Sequence, residues 1–308
     1  MEIGPYLMLA TLEGAVTAAV LALTAVGLSL VFGVMRVVNV AHGEFFMLGA
    51  VLAWWVTHLV GGHPALGFGV ALVVVPVMVG LVAVAADMTV LKRIDYDPER
   101  TIVATIGLLY IIQQVTLMTY GPDARPVEPP FNARIALPWV EWGESGPAFF
   151  FPWGLSTTSY KLAVIVAAAV VLVGVWLLMA RTRIGLLMRA TQLDRDMALA
   201  FGIPVERVYA IVFGLGAGLA ALGAVLIVPI QQAHYLMGGD PLLLSFIVVI
   251  IGGLGSLPGT VLAAVLIGLS DGIISVFFSP TLAKILATLL VALVLVFRPQ
   301  GLFGVRRA

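Results

Sequence analysis

Residues 27–53 read GLSLVFGVMRVVNVAHGEFFMLGAVLA, and this stretch decides the fold. Apolar residues fill both of its ends, while its centre carries Asn39, His42 and Glu44, with Gly43 among them. Ionisable groups are costly at lipid depth, and irregular backbone is tolerated there only inside protein or beside a cavity. We therefore predict that one membrane helix ends before Asn39 and that another begins near Gly43.

The composition of the whole chain indicates a membrane protein. Of its 308 residues, 61% are hydrophobic and 10% are charged, whereas a soluble domain carries roughly 25% charged residues. The mean hydropathy is +1.12. Basic and acidic residues balance at 16 each, so net charge gives no reason to expect a nucleic-acid partner. The absence of cysteine excludes disulfides, thiolate metal sites and a cysteine nucleophile.

Nine apolar segments approach or exceed the length that crosses about 30 Å of hydrocarbon as a helix. They are Leu9–Met35, Gly43–Leu59, Leu66–Val90, Thr101–Tyr120, Tyr160–Ala180, Val208–Ile230, Leu242–Leu254, Thr260–Phe278 and Leu282–Phe297. Leu242–Leu254 is short, which indicates half of a broken helix or a re-entrant segment. We predict an all-α polytopic membrane protein, a single domain over 1–308, with about eight to nine transmembrane helices, broken helices and an internal repeat.

Lysine and arginine set the predicted orientation, because they concentrate in cytoplasmic loops. They follow the third, fifth and last segments: Lys92, Arg93, Arg100, Arg181, Arg183, Arg189, Arg195, Arg207, Arg298, Arg306 and Arg307. The loop at about 181–207 is therefore predicted to be cytoplasmic, and the loop at about 121–159 to be external. The N-terminus, with Glu2 as its only charge, is then external as well. Near the inner surface we expect Asp87 to pair with Lys92, about one turn later.

The polar residues of the first break allow two interpretations. On a continuous helix Asn39 and His42 would share a face and Glu44 would point away, so a metal site built from them is not expected. Glu44 in the first turn of a new helix would face that helix's positive dipole end, and Asn39 would act as a cap. The alternative is that these side chains line or gate a substrate path.

A second break is expected at GGLGSLPG, residues 252–259, which contains no ionisable group. Aligning Gly43 with Gly259 matches aliphatic residues before each break and small residues after it, which suggests a duplication. Asp271 lies in the following segment and requires a polar partner or a wet cavity. The residues predicted to form the helix breaks or the substrate path are Asn39, His42, Gly43, Glu44, Gly253, Gly255, Pro258, Gly259 and Asp271.

The cytoplasmic loop has the pattern of one amphipathic helix. Leu186, Ala190, Leu193, Met197 and Phe201 recur at spacings of four and three, and Gly202 followed by Pro204 would end the helix. Such a helix either docks in a groove of a partner protein or lies on the membrane.

Three stretches together resemble the branched-chain amino acid ABC transporter permease family, and its first-permease type most of all. They are residues 27–50, residues 189–226 (RATQLDRDMALAFGIPVERVYAIVFGLGAGLAALGAVL), and residues 251–278 with the ending VLVFRPQGLFG at 294–304. The resemblance implies an inner-membrane subunit that pairs with a second related permease, two cytoplasmic ABC ATPase subunits and a periplasmic substrate-binding protein. It also implies that the 185–202 region contacts an ATPase. The coupling residues would be Gly185, Arg189, Leu193, Arg195, Met197, Phe201 and Gly202.

The implied activity is import of branched-chain amino acids, energised by separate ATPase subunits, since the chain has no P-loop pattern of its own. Related permeases move urea or short amides, so these substrates stay open. An ion-coupled secondary transporter or channel that uses Glu44 and Asp271 is the main alternative. A more distant alternative is an intramembrane enzyme with His42 as base and Glu44 as its orienting group. As a transport subunit the chain is expected to be no enzyme, and we expect no catalytic residue, metal or cofactor.

Overall fold

The structure is a computed structural model that describes residues 3–137, 139–143, 146–150, 156–298 and 301. Glu2, Arg306 and Arg307, which entered the predicted orientation, lie outside these residues. The α-helices of the described part are α1 Ile3–Met35, α2 His42–Val60, α3 Pro64–Thr89, α4 Pro98–Tyr120, α5 Ser159–Arg181, α6 Arg183–Leu193, α7 Arg195–Ala200, α8 Val205–Ile227, α9 Gly239–Gly252, α10 Leu257–Phe277 and α11 Pro280–Phe297. A 3₁₀ turn, Leu91–Ile94, follows α3.

The predicted class is confirmed: this is an all-α, multi-pass membrane protein. Each of the nine predicted segments corresponds to one helix, α1–α5 or α8–α11. Seven of these helices are long and apolar enough to cross a membrane, and α9 and α11 are shorter apolar helices. We call the end of the bundle that carries the basic connections the inner end, and the opposite end the outer end.

Helices α1 and α8 form the centre of the bundle and run antiparallel. A Cβ at Gly27 would lie 2.5 Å from the carbonyl oxygen of Gly216, and a Cβ at Gly216 would lie 2.7 Å from that of Gly27. Nearer the outer end, Gly223 faces Val20 and Thr24. Glycine allows the two backbones to approach to this distance, which is how helices associate where lipid removes the hydrophobic driving force.

The bundle is built from two units, α1–α4 and α8–α11, in opposite orientations. Helix α1 packs on α8, α9 and α10, and α8 packs correspondingly on α1, α2 and α3. Helix α2 also contacts α4, as α9 contacts α11. The repeat is therefore inverted and relates α2 to α9. This corrects the alignment of Gly43 with Gly259, which related α2 to α10: both glycines stand in the first turn of a helix after a break, and this local likeness produced the match.

Four short strands lie in the outer connection between α4 and α5, where the sequence predicted a loop. Strand β1 (Arg134–Ala136) pairs antiparallel with β4 (Ser156–Thr158), and β2 (Trp139–Gly143) pairs antiparallel with β3 (Gly146–Phe150). Earlier in the connection, Arg125 forms a bridge to Ala233 in the α8–α9 connection. The two outer connections are therefore joined.

The predicted Asp87–Lys92 pair is wrong. Lys92 instead pairs with Glu206 across 2.7 Å, and the Tyr96 hydroxyl donates to Asp87 Oδ2 at 3.4 Å. Asp87 is fully buried in α3, whereas the Lys92 side chain is exposed. Contact with Asp87 would require the Lys92 ammonium group to be buried and to lose its hydration, which is costly. Burial raises the pKa of Tyr96 well above its usual value, so this hydroxyl stays protonated and able to donate.

Candidate functional site

The first break turns the chain back into the bundle. Helix α1 ends at Met35. Arg36 then takes a left-handed conformation with a φ of 58°. At the start of α2, His42 Nε2 donates to the carbonyl oxygen of Thr24 at 2.9 Å. Thr24 precedes the inner end of α1 by three turns, about 16 Å of helix rise. Helix α2 therefore begins roughly half-way across the hydrocarbon, and non-helical chain covers the inner half.

The polar side chains of this break are almost fully enclosed. Asn39, His42 and Glu44 are 1%, 0% and 4% exposed. Asn39 Oδ1 accepts from the Ala41 N–H at 3.1 Å, and Thr105 of α4 accepts from the Val40 N–H at 3.2 Å. These bonds satisfy two backbone N–H groups that make no hydrogen bond within a helix. Glu44 lies in the first turn of α2. Its Oε2 and His42 Nδ1 are buried without a hydrogen-bond partner among the described residues.

Helix α9 begins beside the start of α2. A Cβ at Gly43 would overlap the carbonyl oxygen of Gly238, and a Cβ at Gly238 would overlap that of Gly43. Helix α9 has 14 residues, or about 21 Å of rise, which is less than the roughly 30 Å of hydrocarbon. It matches the predicted half of a broken helix. The two N-termini, each the positive end of a helix dipole, thus meet inside the bundle.

A cavity of about 470 Å³ opens next to this meeting point, in the outer half of the bundle. Its wall includes Thr24 and Phe46 near the first break, and Asp240, Asp271 and Lys284 from α9, α10 and α11. Lys284 Nζ lies 2.6 Å from Asp240 Oδ2. Asp271 forms no ion pair in the described part of the chain. Of the two environments considered for Asp271, the structure therefore provides the cavity.

The second break lies at the inner end of the bundle and not beside the first. Gly253 and Gly255 have φ values of 100° and 79°, which glycine adopts at little cost. Ser256 caps α10 by accepting from the Gly259 N–H at 3.3 Å, and Pro258 occupies the first turn. The structure thus separates residues that the sequence had grouped as one set: the first break lies at mid-depth and the second at the inner surface.

The single amphipathic helix predicted for the cytoplasmic loop is wrong, because Asp194 divides it into α6 and α7. Asp194 is extended, with φ −152° and ψ 113°. Its Oδ1 accepts from the N–H groups of Asp196 and Met197 at 2.9 and 3.0 Å. Aspartate is among the best helix N-caps, and this capping favours a new helix start over continuation.

The apolar residues of the loop point mostly to solvent. Leu193 and Phe201 are 81% and 79% exposed, and Leu186 and Met197 are 59% and 53% exposed. The buried side of α6 and α7 carries other residues: Gly185, Met188, Thr191 and Ala198. We call Leu186, Leu193, Met197 and Phe201, at the inner end of the bundle, the inner apolar patch. Of the other predicted coupling residues, Arg189, Arg195 and Gly202 are exposed.

Two residues that sequence reasoning missed connect α6 to both breaks. The Arg36 guanidinium donates to the carbonyl oxygens of Gln192 and Leu193 at 3.1 and 3.5 Å, at the C-terminal end of α6. Gln192 Nε2 donates to the Gly255 carbonyl oxygen at 3.3 Å. The available signal was the position of Arg36, a lone cation directly after a long apolar helix and directly before the predicted break.

A second cavity, of about 630 Å³, lies at the outer surface. Trp54 and His58 of α2 line it together with Glu128 of the α4–α5 connection. The Arg125 guanidinium stacks 4.5 Å from the Trp54 ring and 4.6 Å from the Tyr120 ring. Stacking of this kind anchors the start of the outer connection to α2 and α4.

Comparison with known proteins identifies what the chain is similar to. The family model described as "Branched-chain amino acid transport system / permease component" matches residues 10–296. The high-affinity branched-chain amino acid transport system permease protein BraD of Pseudomonas aeruginosa is 27% identical, over 92% of this chain and 91% of that protein. The permease protein LivH of the corresponding Escherichia coli K12 system is 24% identical, over 97% and 96%. A probable LivH of Methanocaldococcus jannaschii is 26% identical, over 96% and 92%. No solved structure matches the chain.

Proposed function

The chain belongs to the family of branched-chain amino acid transport system permease components, and we propose on this basis that it is a permease subunit of an ABC importer for these amino acids. Its place is the bacterial inner membrane. Its partners are a second related permease, two cytoplasmic ABC ATPase subunits and a periplasmic substrate-binding protein. The chain supplies the path, and the ATPase subunits supply the energy.

The structural observation that carries this proposal, beside the family match, is the inner apolar patch. Outside the lipid, a protein surface rarely exposes a contiguous patch of large apolar side chains, and such a patch typically marks a protein interface. The patch lies at the basic, inner end, where an ATPase would bind. Met197 and Phe201 would insert into a groove of the ATPase subunit, with Arg189 and Arg195 at the polar rim.

The contacts of Arg36 and Gln192 give a route from this interface into the bundle. When ATP-driven closure of the ATPase subunits displaces α6, Arg36 transmits the displacement to the first break and Gln192 transmits it to Gly255 at the second. The first break leads directly to the meeting of α2 and α9. Because Gly43 and Gly238 touch without intervening side chains, a small shift of either helix separates them and opens the path at mid-depth.

The substrate path follows from the same geometry. Asn39, His42 and Glu44 hold the non-helical chain at mid-depth, and Asp271 lines the cavity above it. At the inner end Gly253, Gly255, Pro258 and Gly259 form the hinge between α9 and α10. A secondary transporter would use Glu44 and Asp271 as ion sites, but it would have no need of an exposed apolar surface tied to both breaks.

Substituting Phe201→Asp tests the docking role, because Phe201 is 79% exposed and its loss should leave the fold intact. We expect the variant to reach the membrane, to bind the tagged ATPase subunits much more weakly, and to lose leucine uptake. Thr89→Asp is the matched control, since Thr89 is also uncharged and exposed and lies at the inner end of α3, outside the patch. Normal ATPase binding and uptake by Phe201→Asp would overturn the docking proposal.

A further inference from the structure

The cavity in the outer half of the bundle has two kinds of wall. Val20, Leu21, Phe46, Ile227 and Leu244 provide an aliphatic and aromatic side. Its volume of about 470 Å³ lies within the range of roughly 300–1,000 Å³ for small-molecule sites. Such sites combine an apolar wall with a few placed polar groups that fix the orientation of the ligand.

The cavity wall also carries a carboxyl group that has no salt-bridge partner among the described residues. Lys284 and Asp240 neutralise each other across 2.6 Å. Asp271 stands on the same wall and forms no ion pair among the described residues. A carboxylate in the membrane requires a cationic partner or water. The cavity therefore has one position at which a ligand cation would be held by charge.

The start of α9 complements this position. Gly239 and Asp240 line the cavity, and no side chain in the described part of the chain caps their helix. In the first turn of α9, Pro241 has no N–H and the Leu242 N–H donates to the Gly238 carbonyl oxygen, which leaves the N–H groups of Gly239 and Asp240 to donate to an anionic group. Because Lys284 pairs with the Asp240 carboxylate, that carboxylate does not cancel the positive end of the α9 helix dipole.

We infer that this cavity binds the free amino acid during transport, with Asp271 at its α-ammonium group, the first turn of α9 at its α-carboxylate and the apolar wall around its aliphatic side chain. The inference rests on the proposed function and adds to it a recognition site inside the permease. Asp271 selects for the amino group, and Phe46 with its neighbours selects for a branched aliphatic side chain over a polar one.

Because the chain contains no cysteine, a single introduced thiol can report whether leucine protects the cavity from a thiol reagent. Thr17 lines the cavity, whereas Thr57 lines the separate outer-surface cavity. Thr17→Cys and Thr57→Cys each introduce one thiol by a nearly isosteric change. A methanethiosulfonate reagent is applied to the assembled transporter in membranes, with and without leucine. Leu236→Cys, at a second residue of the cavity wall, replaces Thr17→Cys if that variant does not fold.

We expect leucine to slow modification at Thr17→Cys several-fold and to leave Thr57→Cys unaffected. 4-Methylpentanoate, which lacks the ammonium group, should protect less than leucine. Adding Asp271→Asn should raise the half-protecting leucine concentration at least about tenfold, the equivalent of roughly 1.4 kcal/mol. Asp271→Glu should restore part of the protection.

Three results would overturn the site: no protection at either cavity position, equal protection at Thr57→Cys, or full protection in the Asp271→Asn background. Leucine uptake by the unsubstituted transporter, measured in parallel, keeps the two proposals apart. Uptake without protection contradicts the site alone. A transporter that imports no leucine contradicts the proposed function, whichever way the thiols react.

Discussion

Replacing Arg36 separates its two roles, one in the backbone and one in the contact with α6. Its φ of 58° is left-handed, which costs an ordinary residue about 1–2 kcal/mol and costs glycine little. Its guanidinium binds the last carbonyl oxygens of α6. Such a cation at a partly exposed helix C-terminus contributes roughly 0.3–1 kcal/mol.

These two contributions predict different stabilities for the Arg36→Ala and Arg36→Gly variants. Arg36→Ala loses the contact and keeps the strain, so the free energy of unfolding should fall by roughly 0.3–1 kcal/mol. Arg36→Gly loses the same contact but recovers about 1 kcal/mol of backbone strain, part of which the greater freedom of unfolded glycine offsets. Its stability should therefore stay close to that of the unsubstituted protein and above that of Arg36→Ala.

Coupling should respond differently from stability. Because both variants remove the link between α6 and the first break, both should raise the number of ATP molecules hydrolysed per leucine imported. Asp95→Gly is the control: Asp95 also has a positive φ, 53°, and makes no side-chain hydrogen bond to α6. It should stabilise the protein without changing the ATP:leucine ratio.

The assays are thermal unfolding of the purified complex in detergent, and ATPase and uptake rates in proteoliposomes. An unchanged ATP:leucine ratio in both Arg36 variants would refute the transmission through Arg36. Equal stability of Arg36→Gly and Arg36→Ala would refute the reasoning about backbone strain.

The remaining predictions concern stability and are checked by thermal unfolding in detergent. Gly216→Ala should cost about 1–3 kcal/mol by forcing α1 and α8 apart, whereas Gly174→Ala, where a Cβ meets nothing within 4 Å, should have no such cost; equal effects would contradict the close crossing. Asn39→Ala should cost about 1–3 kcal/mol, because it leaves the buried Ala41 N–H without its acceptor, and an unchanged melting temperature would contradict this role of the Asn39 side chain. Tyr120→Phe should cost only about 0.5–1.5 kcal/mol, since the Ala233 carbonyl oxygen keeps its bond from the Arg125 N–H; a larger loss would mean that the hydroxyl orders the outer connections.

The sequence predicted most of the fold because hydrophobic segment length and the distribution of basic residues report directly on membrane crossing. It also located the break at Asn39–Glu44, since ionisable residues there conflict with their apolar surroundings. The start of α2 half-way across the membrane was not predictable, because it depends on a tertiary contact between His42 and Thr24 that no local pattern encodes.

The sequence predicted a repeat but left its direction open, and it did not predict the split of the helix in the 181–207 loop, for different reasons. The correspondence of α2 with α9 is visible only in how the helices pack and in which direction they run. In the sequence, the similar breaks at Gly43 and Gly259 suggested a different pairing. In the 181–207 loop, the helical spacing of apolar residues continues across Asp194. This spacing predicted one helix, although aspartate is also a common N-cap that starts a new one. The cavity joins residues of α1, α2, α9, α10 and α11, so only the fold could place Asp271 in one cavity with these apolar side chains.

The central claim is that leucine import through this chain is driven by ATP hydrolysis through the α6–α7 contact, and it is tested most directly in proteoliposomes that contain the assembled transporter. Leucine uptake is measured with binding protein on the outer side of the permease, with ATP or a non-hydrolysable analogue at the ATPase side, and separately with an imposed proton or sodium gradient. Uptake that requires hydrolysable ATP and does not respond to either gradient is the predicted result. Leucine uptake driven by a gradient in the absence of ATP hydrolysis would contradict the account.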